Sequence, residues 1–302
     1  MVLKINLKIV SILICVYIII IGLYIWEYYK NNNKNELERY SNKTNVPHIP
    51  RIIHMTCKDK HNLSDFYEQN YNSWKRYNKK DGWEIRLYDD NDLMEFFEKH
   101  YPDVYKNVIS TYNEIIYKVD IFKILVLNKI GGVYVDMDVE CLKPIDELIQ
   151  NKNNRVILGY GPYEHNNGQY KGMKLIECAI MMSEPNHPFW NKYVIPSLKP
   201  QTQCKGNAVA CTGPVFITRN VEKYNKENTN ANANANNTGD IKVMEPVYFY
   251  PVNNQMKTRV PDNLIKKTQD MLKTHTFPKE SYCVHYFDGA WWNKNSKGNK
   301  KK

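Results

Sequence analysis

The stretch GGVYVDMDVECLKP, residues 131–144, sets two aspartates one residue apart inside an otherwise apolar run. Burying a carboxylate is costly unless an opposing charge compensates it, so Asp136 and Asp138 call for a cation in front of them. The run reads as a strand, GVYVDMDV, with Tyr134, Asp136 and Asp138 on one face and Val133, Val135 and Val139 on the other. The two carboxylates then stand about 7 Å apart at the strand's C-terminal end. Open α/β sheets bind ligands at that end. A divalent cation bridging to a diphosphate would neutralise the pair, and hard Mg²⁺ or Mn²⁺ prefers such oxygen donors.

Upstream, EIIYKVDIFKILVLNKI (114–130) has helical length and is apolar nearly all round, the pattern of a largely buried helix. Gly131 is placed to end it. Asp120 lies within this helix, and two anomalous acids in adjacent buried elements point to one polar pocket. PRIIHMTC (50–57) suits a first buried strand, and WEIRLYDD ends a second. Asp92-Leu-Met-Glu95 matches a capping box opening the helix LMEFFEKHY. A helix, a glycine and then a buried strand form the rhythm of an α/β fold. A bare D-x-D is weak evidence, since Asp90-Asn-Asp92 has the same spacing and is explained by turn and helix-cap chemistry. An EF-hand is excluded, because DMDVEC lacks the loop's glycine and later ligands.

The 302 residues are 42% hydrophobic and 25% charged, an ordinary globular composition with ample length for a core. Net charge is +10, partly from Lys294, Lys297 and Lys300 to Lys302 in a basic tail, residues 294–302. The remaining basic residues form no dense block interleaved with aromatics, which argues against a nucleic-acid partner. After a short tail, 1–8, IVSILICVYIIIIGLYIW (Ile9 to Trp26) is uncharged over eighteen residues and as a helix spans about 27 Å, enough to cross a bilayer. A cleaved signal peptide would have a shorter apolar run and an A-x-A-like exit. Tyr24, Trp26, Tyr28 and Tyr29 make an aromatic belt, while flanking lysines on both sides leave orientation open. A polar stem follows to residue 48, then a domain over 49–293 interrupted by the low-complexity loop NKENTNANANANNTG, 225–239.

Seven cysteines include no C-x-x-C metal pattern. Cys204 and Cys211 can pair across a short loop, one arrangement among fifteen for the six outside the apolar segment, and free buried thiols are an equal alternative.

VDIFKILVLNKIGGVYVDMDVECLKPID strongly resembles the D-x-D sugar-binding region of family 32 glycosyltransferases, among them fungal initiation mannosyltransferases and inositol-phosphoceramide mannosyltransferases. IPRIIHMTC, NSWKRYN, GWEIRLYDD, EPNHPFW, TGP, FYP and VHYFDGAWW resemble the family's other landmarks in order, so the likeness covers about residues 49–292. The resemblance implies a GT-A (Rossmann-like, nucleotide-sugar-binding) fold, with Asp136 near ribose and sugar and Asp138 on Mn²⁺ (or Mg²⁺). It makes His285 a metal or diphosphate contact, Asp120 the holder of donor hydroxyls, and Lys123 beside it a cation for the donor's diphosphate or sugar. Thr56 would border the nucleotide, Gly213 with Pro214 would shape the sugar pocket, and Trp291 or Trp292 would close over the diphosphate. Bland alternatives stand beside these: a packed core histidine at 285, a plain turn at 213–214, packing for one tryptophan, a structural His54, and a mere mutual ion pair for Asp120 and Lys123.

Three positions depart from the family pattern. Cys57 replaces a tryptophan, Lys123 an arginine and Cys178 an asparagine, which leaves the donor sugar open. The implied activity is a metal-dependent, retaining transfer of a hexose, mannose from GDP-mannose first, to a glycan or glycolipid, by a type II membrane protein of the Golgi or ER. The rivals are a non-catalytic, membrane-tethered glycan-binding protein on a decayed transferase fold and a metal-dependent phosphohydrolase. The second lacks the loop motif its nucleophilic aspartate would need.

Overall fold

The computed structural model describes Glu27 and residues 48–79, 82–162, 172–228, 240–252 and 262–289. The expected anchor, the basic tail, residues 229–239 of the low-complexity loop, Trp291 and Trp292 lie outside the described residues. Among the described residues no helix is long and apolar enough to cross a membrane. The chain divides into two units, Met1–Val46 and Pro47–Lys302, and the second holds the sheet.

Strand β1 (Ile52–Thr56) leads through α1 (Asp65–Asn78) to β2 (Glu84–Tyr88). Helices α2 (Asp90–His100), α3 (Pro102–Asn107) and α4 (Ile115–Lys129) precede β3 (Gly132–Val135) and β4 (Val139–Cys141). Next come α5 (Asp146–Gln150), β5 (Val156–Tyr160), β6 (Ile176–Ser183), a π-helical turn Phe189–Val194 and α6 (Ile195–Ser197). The chain continues through α7 (Ala208–Cys211), α8 (Pro214–Asn228), β7 (Ile241–Met244), α9 (Pro246–Phe249), α10 (Asp262–Thr274) and β8 (Cys283–His285).

Six strands form one mixed sheet in the order β2-β1-β3-β6-β5-β7, while β4 and β8 make a separate two-stranded ribbon. β1 runs parallel to both β2 and β3, β6 runs antiparallel to β3 and β5, and β7 is parallel to β5. Because the chain leaves β1 toward β2 and later returns to its other side at β3, the carboxyl ends of β1 and β3 form a switch point, where such sheets bind ligands. Thr56 ends β1, and the D-x-D follows β3 directly. Side-chain alternation splits the core between the two faces of β3. Tyr134 packs with Phe97, Phe122 and Leu125 from α2 and α4. Val133 and Val135 pack with Met55, Trp74 and Ile180 on the other side. Apolar layers on both faces of a sheet make this a mixed α/β fold.

The glycine pair before β3 is sterically required. Gly131 has φ +74°, and a Cβ there would meet Pro185 at 2.7 Å; one on Gly132, at φ +101°, would stand 2.4 Å from the Ile52 carbonyl oxygen.

Two expectations need correction. The strand stops at Val135, and Asp136 to Asp138 form a turn closed by Val139 N donating to the Asp136 carbonyl at 3.1 Å. The carboxylates therefore do not share a strand face. The capping box begins three residues earlier than expected: Asp89 is the N-cap of α2, and the Asp92 side chain accepts from Asp89 N at 2.9 Å. DDND offers two overlapping boxes, and the chain takes the one that starts the helix immediately after β2. Cys204 and Cys211 are joined, with Cα atoms 5.8 Å apart; Cys57, Cys141, Cys178 and Cys283 are free thiols.

Candidate active site

The turn Asp136–Asp138 is held from below by α1. Asn70 Nδ2 donates to the Met137 carbonyl at 2.9 Å and Trp74 Nε1 to the Val139 carbonyl at 2.9 Å. Ser73 Oγ accepts from Cys141 N at 2.9 Å. All three side chains are buried, and each satisfies a backbone group that the turn leaves without a sheet partner. The NSWKRYN segment, legible only as a landmark, thus forms the floor of the D-x-D turn together with Asn70 just before it.

Above that floor the side chains form a continuous chain. Thr56 Oγ1 and Tyr134 OH are 2.7 Å apart, and Tyr134 OH donates to Asp136 Oδ1 at 3.0 Å. Lys123 Nζ donates to Asp136 Oδ2 at 3.1 Å and lies 3.3 Å from Asp120 Oδ1. Thr212 Oγ1 donates to Asp120 Oδ2 at 3.0 Å. Gly213 closes the chain: a Cβ there would sit 3.3 Å from that same Asp120 oxygen and 3.1 Å from the Ala208 carbonyl. Thr56, Asp120, Lys123, Asp136 and Gly213, proposed separately from sequence, therefore meet. Tyr134 and Thr212 complete the chain and were not among the candidates, although TGP marked the second.

Asp138 has different partners. Its Oδ2 lies 3.1 Å from His285 Nε2 and accepts from Asp288 N at 2.9 Å. The backbone reverses at Phe287, φ +51°, which brings that N–H back onto the carboxylate. Tyr67 OH donates to Asp288 Oδ2 at 2.9 Å.

These contacts answer the question posed by two aspartates in an apolar run: the protein itself supplies counter-charges, Lys123 for Asp136 and His285 for Asp138. Asp120 and Lys123, read from sequence as both aimed at a ligand, are paired with each other and with Asp136. Burial raises the carboxyls of Asp120 and Asp136 above the usual range against the pull of Lys123. Burial depresses the Lys123 ammonium, but Asp136 and Asp120 more than offset it and hold it well above its ordinary value. Burial likewise opposes the charge on Asp138, yet His285 outweighs it and leaves that carboxyl below its usual value. His285 is raised by Asp138 against its own burial.

One ligand atom from each of Asp136, Asp138 and His285 lies within 4.8 Å of the others. These residues fit a hard divalent cation on two counts. His285 Nδ1 is buried without a hydrogen-bond partner. Three carboxylates (Asp120, Asp136, Asp138) also face one ammonium, and were His285 to lose its proton on ligating an ion, two negative charges would remain for a divalent cation to balance. His54 does not belong to this group: fully buried, its ring nitrogens lie 2.9 Å from Tyr88 OH and from the Gly131 carbonyl.

The family described as glycosyltransferase sugar-binding region containing DXD motif matches residues 64–154, and the alpha 1,4-glycosyltransferase conserved region matches residues 182–302. Inositol phosphoceramide mannosyltransferase 1 of Schizosaccharomyces pombe is 28% identical over 181 residues, covering 58% of this chain and 52% of its own. Mannosyl phosphorylinositol ceramide synthase SUR1 of Saccharomyces cerevisiae is 26% identical over 214 residues, 67% of this chain and 47% of its own. The chain thus spans about half the length of these curated relatives. A solved structure titled PaToxG Glycosyltransferase aligns with a TM-score of 0.41 at 16% identity, covering 63% of this chain and 78% of that one.

Proposed function

Since this chain belongs to the glycosyltransferases whose sugar-binding region contains the D-x-D motif, we propose that it transfers a hexose from a nucleotide-sugar to a hydroxyl of a glycan or glycolipid, with retention of anomeric configuration. The observation that carries the reading is the convergence of Asp136 and Asp138, inside the first matched region, with His285, inside the second, beyond the carboxyl end of β3. A GT-A arrangement is the fold reading that goes with it, supported by the switch point at the ends of β1 and β3. Mannose from GDP-mannose is the first donor to test. Inositol phosphoceramide, which the name of the Schizosaccharomyces pombe relative carries, is the first acceptor to test.

Asp136, Asp138 and His285 are the residues that would hold the ion, Mn²⁺ or Mg²⁺. Bound there, a divalent cation supplies electrostatic stabilisation of the charge that grows on the leaving diphosphate. The chain's own groups do the positioning. Lys123 fixes the rotamers of Asp120 and Asp136 from one point, and Tyr134 orients Asp136 from the other side. Asp120 keeps lone pairs for donor hydroxyls. None of the described residues in this cluster stands out as a covalent nucleophile, so the acceptor hydroxyl attacks on the face the diphosphate leaves, and the leaving phosphate takes its proton.

Residues Ile9 to Trp26 serve in this reading as a type II anchor that places the body in an endomembrane lumen. The test is a screen of the full chain in detergent against GDP-mannose, UDP-galactose, UDP-glucose and UDP-N-acetylglucosamine with Mn²⁺, with product configuration read by NMR. Transfer from one donor with retention supports the reading. Donor binding without hydrolysis or transfer would leave a glycan-binding protein instead.

A further inference from the structure

The ribbon that carries His285 holds a second feature. In the β4–β8 pairing, Val139 faces His285, Glu140 faces Val284 and Cys141 faces Cys283. Leu142 N donates to the Tyr282 carbonyl at 2.9 Å and Tyr286 N to the Asp138 carbonyl at 2.9 Å. Hydrogen-bonded and non-hydrogen-bonded pairs alternate along an antiparallel ribbon, so Cys141 and Cys283, next to the bonded pair Leu142–Tyr282, occupy a non-hydrogen-bonded position. There the Cα atoms stand about 4.5 Å apart and both side chains leave the ribbon on the same side. A disulfide accepts Cα separations of about 4.4–6.8 Å.

Both thiols are fully buried and both are free. Their contacts are few: Asn78 Nδ2 donates to Cys141 Sγ at 3.6 Å, Cys141 Sγ donates to the Lys143 carbonyl at 3.3 Å, and Cys283 Sγ donates to the Phe249 carbonyl at 3.6 Å. Buried cysteines often serve as small apolar side chains. The register separates this pair from the other two free thiols, since Cys57 follows β1 and Cys178 lies in β6, neither opposite a cysteine.

We propose that Cys141 and Cys283 are a redox pair that closes into a cross-strand disulfide, tying β8, which ends at His285, to β4, which follows Asp138. The oxidant is a small disulfide such as oxidised glutathione, or a protein disulfide of the same chemistry. The exchange runs while the chain folds, before burial covers both sulfurs and pushes the Cys141 thiol up to about 12. One cysteine thiolate attacks the oxidant's sulfur and releases one thiol. The second thiolate then attacks the mixed disulfide and releases the other. Two protons and two electrons leave the cysteines, and the oxidant departs as two thiols. The bond closes a loop of about 140 residues, which constrains the unfolded chain strongly, and it holds the turn after Asp138 against the strand that carries His285. The pairing stands whatever reaction the site performs.

The test is peptide mapping of the full chain expressed into an oxidising secretory lumen, alkylated in denaturant and digested without reduction. The peptides holding Cys141 and Cys283 are expected as one linked species, lighter than their sum by two hydrogens. Dithiothreitol before alkylation should separate them. Recovery of both as alkylated free thiols, from a sample in which Cys204 and Cys211 are linked, would overturn the proposal.

Discussion

At the scale of single residues, Lys123 has the largest consequences. Its ammonium is the shared counter-charge of the buried Asp120 and the partly buried Asp136, and deleting one partner of a buried ion pair typically costs about 3–5 kcal/mol. Lys123→Met should therefore lower both the melting temperature and donor turnover at neutral pH, turnover by tenfold or more. The stability loss should shrink as pH falls, because Asp120 and Asp136, already raised by burial, shed their uncompensated charge by protonation. Lys123→Arg keeps the charge and should retain fold and turnover. Wild-type melting and turnover in Lys123→Met would contradict this reading of the network. His54 makes a separate pH prediction. Burial is the main cause lowering its imidazole from 6.5 to about 4, opposed by the hydrogen bond to the Gly131 carbonyl. Between those values the unfolded chain binds a proton that the native protein refuses. Stability is then full above about pH 6.5 and falls as pH drops toward 4, by about 3 kcal/mol in total. An NMR titration of the ring with a midpoint near 4 would agree with this; one near 6.5 would show the ring solvated.

At the scale of elements, α1 is the positioning device. Asn70→Ala leaves the buried Met137 carbonyl without its donor, a cost of about 1–3 kcal/mol, and frees the turn between the two aspartates. We expect Mn²⁺ to bind that variant several-fold more weakly, while Trp74→Phe, which keeps an aromatic ring of smaller volume but deletes the donor to Val139, falls between it and wild type. Calorimetric Mn²⁺ titration with thermal melts measures both, and unchanged titrations would remove α1 from the account. This element also marks where sequence reading stops. Helix α4 was legible because fifteen residues are apolar nearly all round. The end of β3 was not: Met137 in the turn is as buried as a strand residue would be, so the period-two pattern runs unbroken through a chain reversal. The candidate residues themselves were legible through the D-x-D and the landmarks around it. Their mutual pairing was not, because Lys123 to Asp136 and Asp138 to His285 are long-range contacts that no local pattern records. Asn70 gave no signal either, since a polar residue on a helix reads as its solvated face, and NSWKRYN marked Ser73 without showing what it holds.

At the scale of the whole molecule, the proposed anchor and the proposed site imply an orientation. With the N-terminus cytosolic, the body should be protected from protease in sealed microsomes and digested once detergent is added; digestion without detergent would refute the type II reading. The same chain must then couple an ion site to sugar transfer, and a comparison of two aspartates tests that coupling. Asp92 sits in the other D-x-D, where its side chain caps α2 and pairs with Lys60 at 2.7 Å; Asp92→Ala should cost about 1 kcal/mol of stability and leave turnover intact. Asp138→Ala removes a carboxylate from the convergence with Asp136 and His285. The decisive measurement is Mn²⁺-dependent donor turnover by the full chain in these two variants, with melting temperatures taken on the same samples. A folded Asp138→Ala should show no Mn²⁺-dependent turnover and Asp92→Ala near wild-type turnover; the reverse result would contradict an ion site at Asp138.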